Sequence, residues 1–203
     1  MSDKREIRGF LTHFEARAEG DKGIIKGRPV VFDKETDMGW YREVIDRNAL
    51  ADTDLRDIRL CLDHDTSFVY ARSRNNNANS TMRVGVDDEG LYFEAELDLR
   101  SAKANDLYIA VERGDMDKMS FMFVVDGYEW RDIDSDKPLR IIRSISVIYE
   151  LSIVTFPAYD DTSVQAASSS NETLESVRAS LESVREEARK LERRKQVIRI
   201  LAI

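Results

Sequence analysis

Residues 81–97, TMRVGV-DDEG-LYFEAEL, restrict the fold more than any other stretch. Apolar residues alternate with polar or small ones on both sides of a short acidic loop. A period of two cannot bury one face of a helix, but it buries one face of a strand. The stretch therefore reads as an antiparallel hairpin, with Gly90 free to take a positive φ at the loop end. Comparable short runs, bounded by Gly, Asp and Asn, occur at 24–32 (IIKGRPVVF), 59–64 (RLCLDH), 119–125 and 145–156. Each has the length and composition of a strand.

Two segments carry helical spacing instead. One is short, 42–50 (REVIDRNAL). The other spans 101–113, with Ala104, Leu107, Tyr108 and Val111 on one face. Asp98 or Ser101 is placed to cap its start, and Gly114 sits where a C′ glycine belongs. Many strands and few helices predict an α+β fold around a mainly antiparallel sheet or barrel.

The last part of the chain is a different material. Pro157 ends the final strand run, and YDDTSVQAASSSNET reads as a linker. From residue 172, Leu174, Val177, Leu181, Val184, Ala188 and Leu191 recur at spacings of 3 and 4, with Glu and Arg between them. That is an amphipathic helix with a coiled-coil stripe, or a helix that folds back onto the body. The predicted division is a domain over 1–165, a Ser-rich linker over 166–171 and a helix over 172–203.

Charge and rare residues narrow the function. The 203 residues contain 31 Lys and Arg against 39 Asp and Glu, a net charge of −8. The 172–203 segment holds 6 acids and 8 bases, which leaves −10 on the rest. An acidic body argues against a nucleic-acid binder, whose affinity rests on cationic contacts to phosphate. The basic end of the tail reads as a solvated helix face. One cysteine, Cys61, excludes a disulfide framework and a Cys-rich zinc site. Two histidines leave little for a histidine metal cluster, so neither metal nor cofactor is expected. No apolar run approaches the ~20 residues that span a bilayer. The first residues lack the apolar core of a secretory signal. The expected setting is a reducing cytoplasm, with no membrane contact.

Three residues could carry chemistry. His64 ends the strand run RLCLDH, where alternation puts it on one face with Leu60 and Leu62. It is either a general base near neutral pH or a surface histidine between two aspartates. Cys61 then points the opposite way and reads as a small core residue. Ser120 opens the apolar strand MSFMFVV. It is either a tolerated small polar residue or a nucleophile that needs a base beside it. Glu150 is the only acid in ISVIYELSIVTF. A carboxylate there needs a hydrogen-bonding partner such as an imidazole N–H, or an edge strand that leaves it in water.

The order of motifs resembles the HK97-like prohead (capsid maturation) serine protease family of tailed bacteriophages, which is related to the herpesvirus capsid proteases. The pieces are IKGRPVVFD, WYREVIDRNAL, LCLDHD, DDEGLYFEAEL, ERGDMDKMSFMF and YELSIVTFPAYDDTSV, in family order between residues 24 and 164. The resemblance implies a mainly antiparallel, herpesvirus-protease-like β-barrel flanked by helices within 1–165. It implies a serine endopeptidase with His64 as general base, Ser120 as nucleophile, and Glu150 or Asp65 as third member. The herpesvirus relatives use a second histidine as third member. The only other histidine here, His13, lies outside every matching motif. Backbone N–H groups or an arginine such as Arg140 or Arg143 are candidate oxyanion donors. The implied partners are the phage major capsid protein and scaffold, met inside immature procapsids in the host-cell cytoplasm. Self-cleavage near 165–172 and self-association through 172–203 are expected. The competing reading is a non-catalytic assembly or scaffolding factor that binds coat protein through its C-terminal helix.

Overall fold

The computed structural model describes residues 5–156 and 171–201. Eleven strands and two helices follow in order: β1 (Arg5–Leu11), β2 (Glu15–Glu19), β3 (Lys22–Val31), β4 (Thr36–Asp37), β5 (Arg42–Ile45), β6 (Asp57–Leu62), β7 (Ala71–Arg74), β8 (Met82–Asp87), β9 (Gly90–Asp98), α1 (Ala102–Glu112), β10 (Lys118–Arg131), β11 (Leu139–Val154) and α2 (Asn171–Leu201).

The strands form two sheets. One has seven strands, ordered β1-β10-β11-β5-β4, with β6 paired to β11 and β7 to β6. The other has four, ordered β2-β3-β9-β8. The α+β class stands, but the expected closed barrel does not. Among the described residues β1 pairs only with β10 and β8 only with β9, so both sheets keep open edges. The larger sheet is also mixed. The 16-residue β11 pairs antiparallel with β10 along one side. On its other side it takes two parallel partners, β5 beside 139–142 and β6 beside 150–153.

One core joins the two sheets. Ile25, Phe93 and Leu97 from the small sheet meet Phe121, Phe123 and Ile153 from the large one, with Leu107 and Tyr108 of α1 alongside. The β8–β9 hairpin forms as its alternation predicts. Gly90 adopts φ 150°, and a Cβ at that position would lie 1.9 Å from the Val30 carbonyl oxygen, so no other residue fits. The helix α1 ends in a Schellman motif. Gly114, at φ 76°, donates to the Val111 carbonyl (3.0 Å) and Asp115 donates to that of Ala110 (2.9 Å).

The short helix expected over 42–50 is instead β5 followed by a turn. Val44 and Ile45 pair with Ile141 and Ile142 of β11. The Asp46 carboxylate then accepts the Asn48 N–H (2.9 Å) and its carbonyl that of Ala49 (2.8 Å). Sheet pairing of two β-branched residues outweighs a weak helical pattern only a few residues long. The hydrophilic β2 and the short β4 and β7 carry no alternation that would mark them in the sequence.

The helix α2 begins at Asn171 and its first half lies against the body. Val177 and Leu181 are buried with Met38, Tyr41 and Trp130 in a second cluster. Trp130 Nε1 donates to Ser180 Oγ (3.1 Å) and Arg185 Nε to the Ile133 carbonyl (2.7 Å). Further along, Leu191 is 54% exposed. The side chain of Leu174, residues 166–170 of the expected linker and most of the 165–172 segment where self-cleavage is expected lie outside the described residues.

Candidate active site

The large sheet has one apolar face and one face with hydroxyls and a carboxylate. Leu60, Phe121, Leu151 and Ile153 enter the shared core. The alternate residues project from the other face. Across four strands, Gly9, Ser120, Ser152 and Cys61 are successive register partners. The next such row contains Ile7, Met122, Glu150 and Arg59. Directly paired residues share a face, so Ser120, Ser152 and Glu150 lie together. Glu150 is thus on an interior strand and only 2% exposed, not on an edge in water.

His64 is not on the strand. β6 ends at Leu62, and Asp63 and His64 take left-handed conformations with φ 46° and 62°. The alternation that would align His64 with Leu60 and Leu62 stops there. Hydrogen bonds to β11 hold this turn. Asp63 N–H donates to the Ile153 carbonyl (3.0 Å) and His64 N–H to Ser152 Oγ (3.1 Å). The Asp63 carboxylate accepts the Thr155 N–H (2.8 Å) and hydroxyl (3.1 Å).

The result brings His64 Nδ1 to 2.6 Å from Glu150 Oε1. Ser152 Oγ donates to the other carboxylate oxygen, Oε2, at 2.5 Å. With Glu150 as a carboxylate, Nδ1 carries the proton and Nε2 is the ring's acceptor. The His64 side chain is 23% exposed, open enough to meet a second chain. Asp65 is engaged elsewhere. The Ser67 hydroxyl, and then the Ser67 N–H that the carboxylate accepts at 2.9 Å, hold it below the usual carboxylate range.

Ser120 is fully buried, one rung from Ser152. Its hydroxyl donates to the Arg8 carbonyl at 2.9 Å. Among the described residues no hydrogen bond joins it to His64. The Arg8 side chain is held in a buried ion cluster. Arg8 pairs with Glu6 (2.5 Å) and Glu43, and Arg140 pairs with the same Glu6 (2.8 Å) and Glu43 (2.9 Å). Burial would raise the Glu6 carboxyl, but the Arg8 and Arg140 guanidinium groups outweigh it and hold it at about 2. Arg140 is thus committed to this cluster, and Arg143 to Asp46 and Glu129.

Cys61 lies beside the site but is chemically quiet. Burial first, then the Glu150 charge, push its thiol up to about 11, so the thiolate is scarce near neutral pH. His13 is exposed on the β1–β2 connection. Among the described residues no group of three or more His, Cys, Asp and Glu side chains is arranged to hold a metal ion. Nor does any helix among them have the length and apolarity to cross a membrane.

Sequence reading missed Ser152. Its one signal is its place two residues after Glu150, which puts it on the same strand face.

Residues 12–177 match the model of the caudovirus prohead serine protease family. Over 168 residues the chain is 27% identical to the prohead protease of Enterobacteria phage HK97, covering 82% of this chain and 69% of that one. No solved structure is a significant match. The family match spans His64, Ser120, Glu150 and Ser152 and takes in nearly all of the two-sheet body. The chain belongs to the caudovirus prohead serine protease family.

Proposed function

We propose that this serine protease cleaves the major capsid protein, its scaffold and its own chain inside the immature procapsid. Ser120 is the nucleophile, His64 the general base, and Glu150 the residue that orients the imidazole. The observation that carries the reading is the 2.6 Å contact between His64 Nδ1 and Glu150 Oε1. It leaves Nε2 as the atom that can take a proton. The Ser120 hydroxyl first rotates out of its bond to the Arg8 carbonyl. Its Oγ then attacks the scissile carbonyl carbon as the proton passes to His64 Nε2. Collapse of the tetrahedral adduct breaks the C–N bond, and His64 returns the proton to the leaving amine. Water, deprotonated by the same imidazole, hydrolyses the acyl-enzyme and restores Ser120. Throughout, Glu150 stabilises the imidazolium and keeps the proton of Nδ1 in place.

The test is intact mass over time of the concentrated protein, wild type beside Ser120→Ala. Truncation in the wild type alone supports the reading. Equal truncation of both refutes Ser120 as nucleophile. If both remain whole, co-expression with the phage's capsid protein decides by the same criterion.

A further inference from the structure

The sheet face that carries Ser120, Ser152 and Glu150 continues across two more strands. Glu150 pairs in register with Arg59 of β6, and Arg59 with Arg72 of β7. Directly paired residues share a face, so the two arginines extend the Glu150 row. The next row on these strands pairs Asp57 with Arg74 on the same face. The residues between, Ile58 and Leu60, point the other way and are fully buried in the core. Cys61, one rung along from Arg59, senses both ends of the row. Burial raises its thiol most, the Glu150 charge adds to the rise, and the Arg59 charge opposes it.

Positive charge is in excess here. Asp57 is shared between two arginines. It accepts from Arg72 Nε (2.6 Å) and Nη2 (2.7 Å), and from Arg59 Nη2 at 3.1 Å. The other carboxylate of these rows, Glu150, is 2% exposed and bonded to His64 and Ser152. The guanidiniums of Arg59, Arg72 and Arg74 thus stand against two carboxylates that are already engaged. Among the described residues Arg59 Nε and Nη1 donate no hydrogen bond. The Arg59 and Arg72 side chains are each 34% exposed, open to a second chain. A guanidinium fork matches a carboxylate in geometry as well as in charge.

Adjacent strands lie ~4.8 Å apart, so the two steps from β10 to β6 span roughly 10 Å, the length of about three residues of extended chain. We propose that Arg59 and Arg72 form a substrate subsite that takes a glutamate or aspartate side chain about three residues from the scissile bond. The occupant is the polypeptide substrate, because it must lie on this face to meet Ser120 and His64. The inference rests on the reading of those two residues given above. Arg59 and Arg72 are specificity residues, outside the catalytic hydrogen bonds.

The test uses the full-length protein with ¹⁵N-labelled arginine, the Nε–H signals of Arg59 and Arg72 being identified with Arg59→Gln and Arg72→Gln. The probes are N-acetylglutamate N-methylamide, its glutamine counterpart and a short single-stranded oligonucleotide. The expected result is a saturable shift of both signals with the glutamate probe only. In Arg59→Gln the Arg72 signal should report an affinity weakened about fivefold, the upper range for one exposed ion pair. Equal shifts from the glutamate and glutamine probes, no shift from either, a response to the oligonucleotide alone, or unchanged affinity in Arg59→Gln would overturn the proposal. Binding needs no turnover, so this outcome is separate from that of Ser120→Ala. The link to substrate is read from peptides that span one cut site and carry Glu, Gln or Lys at one position at a time. The wild type should prefer Glu at a position about three residues from the scissile bond, and Arg59→Gln should erase that preference by raising KM. Absence of a Glu preference, or one that survives in both Arg59→Gln and Arg72→Gln, overturns the assignment while leaving the catalytic reading intact.

Discussion

His64 Nδ1 lies 2.6 Å from Glu150 Oε1, although 86 residues of chain separate the two. Two strands meet to make this contact. β6 delivers the histidine through a left-handed turn, and the parallel β11 presents the glutamate from the sheet interior. Replacing Glu150 by Gln keeps the shape but supplies an N–H₂ that can donate to Nδ1. The imidazole then carries its proton on Nε2, where it cannot accept one from Ser120. Glu150→Gln should fold and lose about 10⁴-fold in kcat, as expected for a wrong tautomer. Steady-state kinetics beside circular dichroism checks this, and activity within tenfold of wild type would contradict it.

Ser152 bonds both halves of that pair, donating to Glu150 Oε2 and accepting from the His64 backbone. A hydrogen bond to a charged group contributes about 1.5–3 kcal/mol. Ser152→Ala should therefore lower kcat by about 10–100-fold with KM little changed. Ser152→Thr keeps the hydroxyl and should recover most of the loss. Equal losses in both variants would indicate a packing role only.

Glu6 links acid stability to the fold. Its carboxyl is held at about 2 in the folded protein, against an ordinary value of 4.5. A depressed folded value means that the stabilisation is present in full above the unfolded value. It is lost as pH falls from about 4.5 towards 2. Thermal melting across that window should show a steep decline in the wild type. Glu6→Gln should be less stable at pH 7, because removing one partner leaves buried Arg8 and Arg140 undercompensated, at a cost of roughly 3–5 kcal/mol. Its decline between pH 4.5 and 2 should be shallower.

The thiol of Cys61, raised to about 11 and fully buried, should resist modification in the native state. Ellman's reagent at pH 8 should label it only slowly in buffer and rapidly in denaturant. Fast native labelling would mean that the strand β6 opens readily.

Docking of α2 rests on Val177 and Leu181 against Trp130, Tyr41 and Met38. Leu181→Ala should cost about 2–5 kcal/mol of that docking, the usual range for a buried leucine. Hydrogen exchange should show faster exchange across α2 with the two sheets still protected. Loss of protection throughout would mean that α2 and the body fold as one unit.

Local chemistry alone determined a good deal. Alternation marked the strands β3, β6, β8, β9, β10 and β11, because a half-buried strand must repeat every two residues. Helical spacing with Gly114 marked α1 and its end, and the heptad marked α2. The need of a buried carboxylate for a partner marked Glu150. Tertiary structure decided the rest. It turned 42–50 into a strand and turn, because β11 offered Val44 and Ile45 a ladder that a short isolated helix could not match. It left the sheets open where a barrel was expected, with β1 and β8 at their edges, each beside one strand among the described residues. It lifted His64 off its strand and set Ser152 between His64 and Glu150. Those contacts join residues far apart in sequence, and their geometry depends on strand register, which no local pattern encodes.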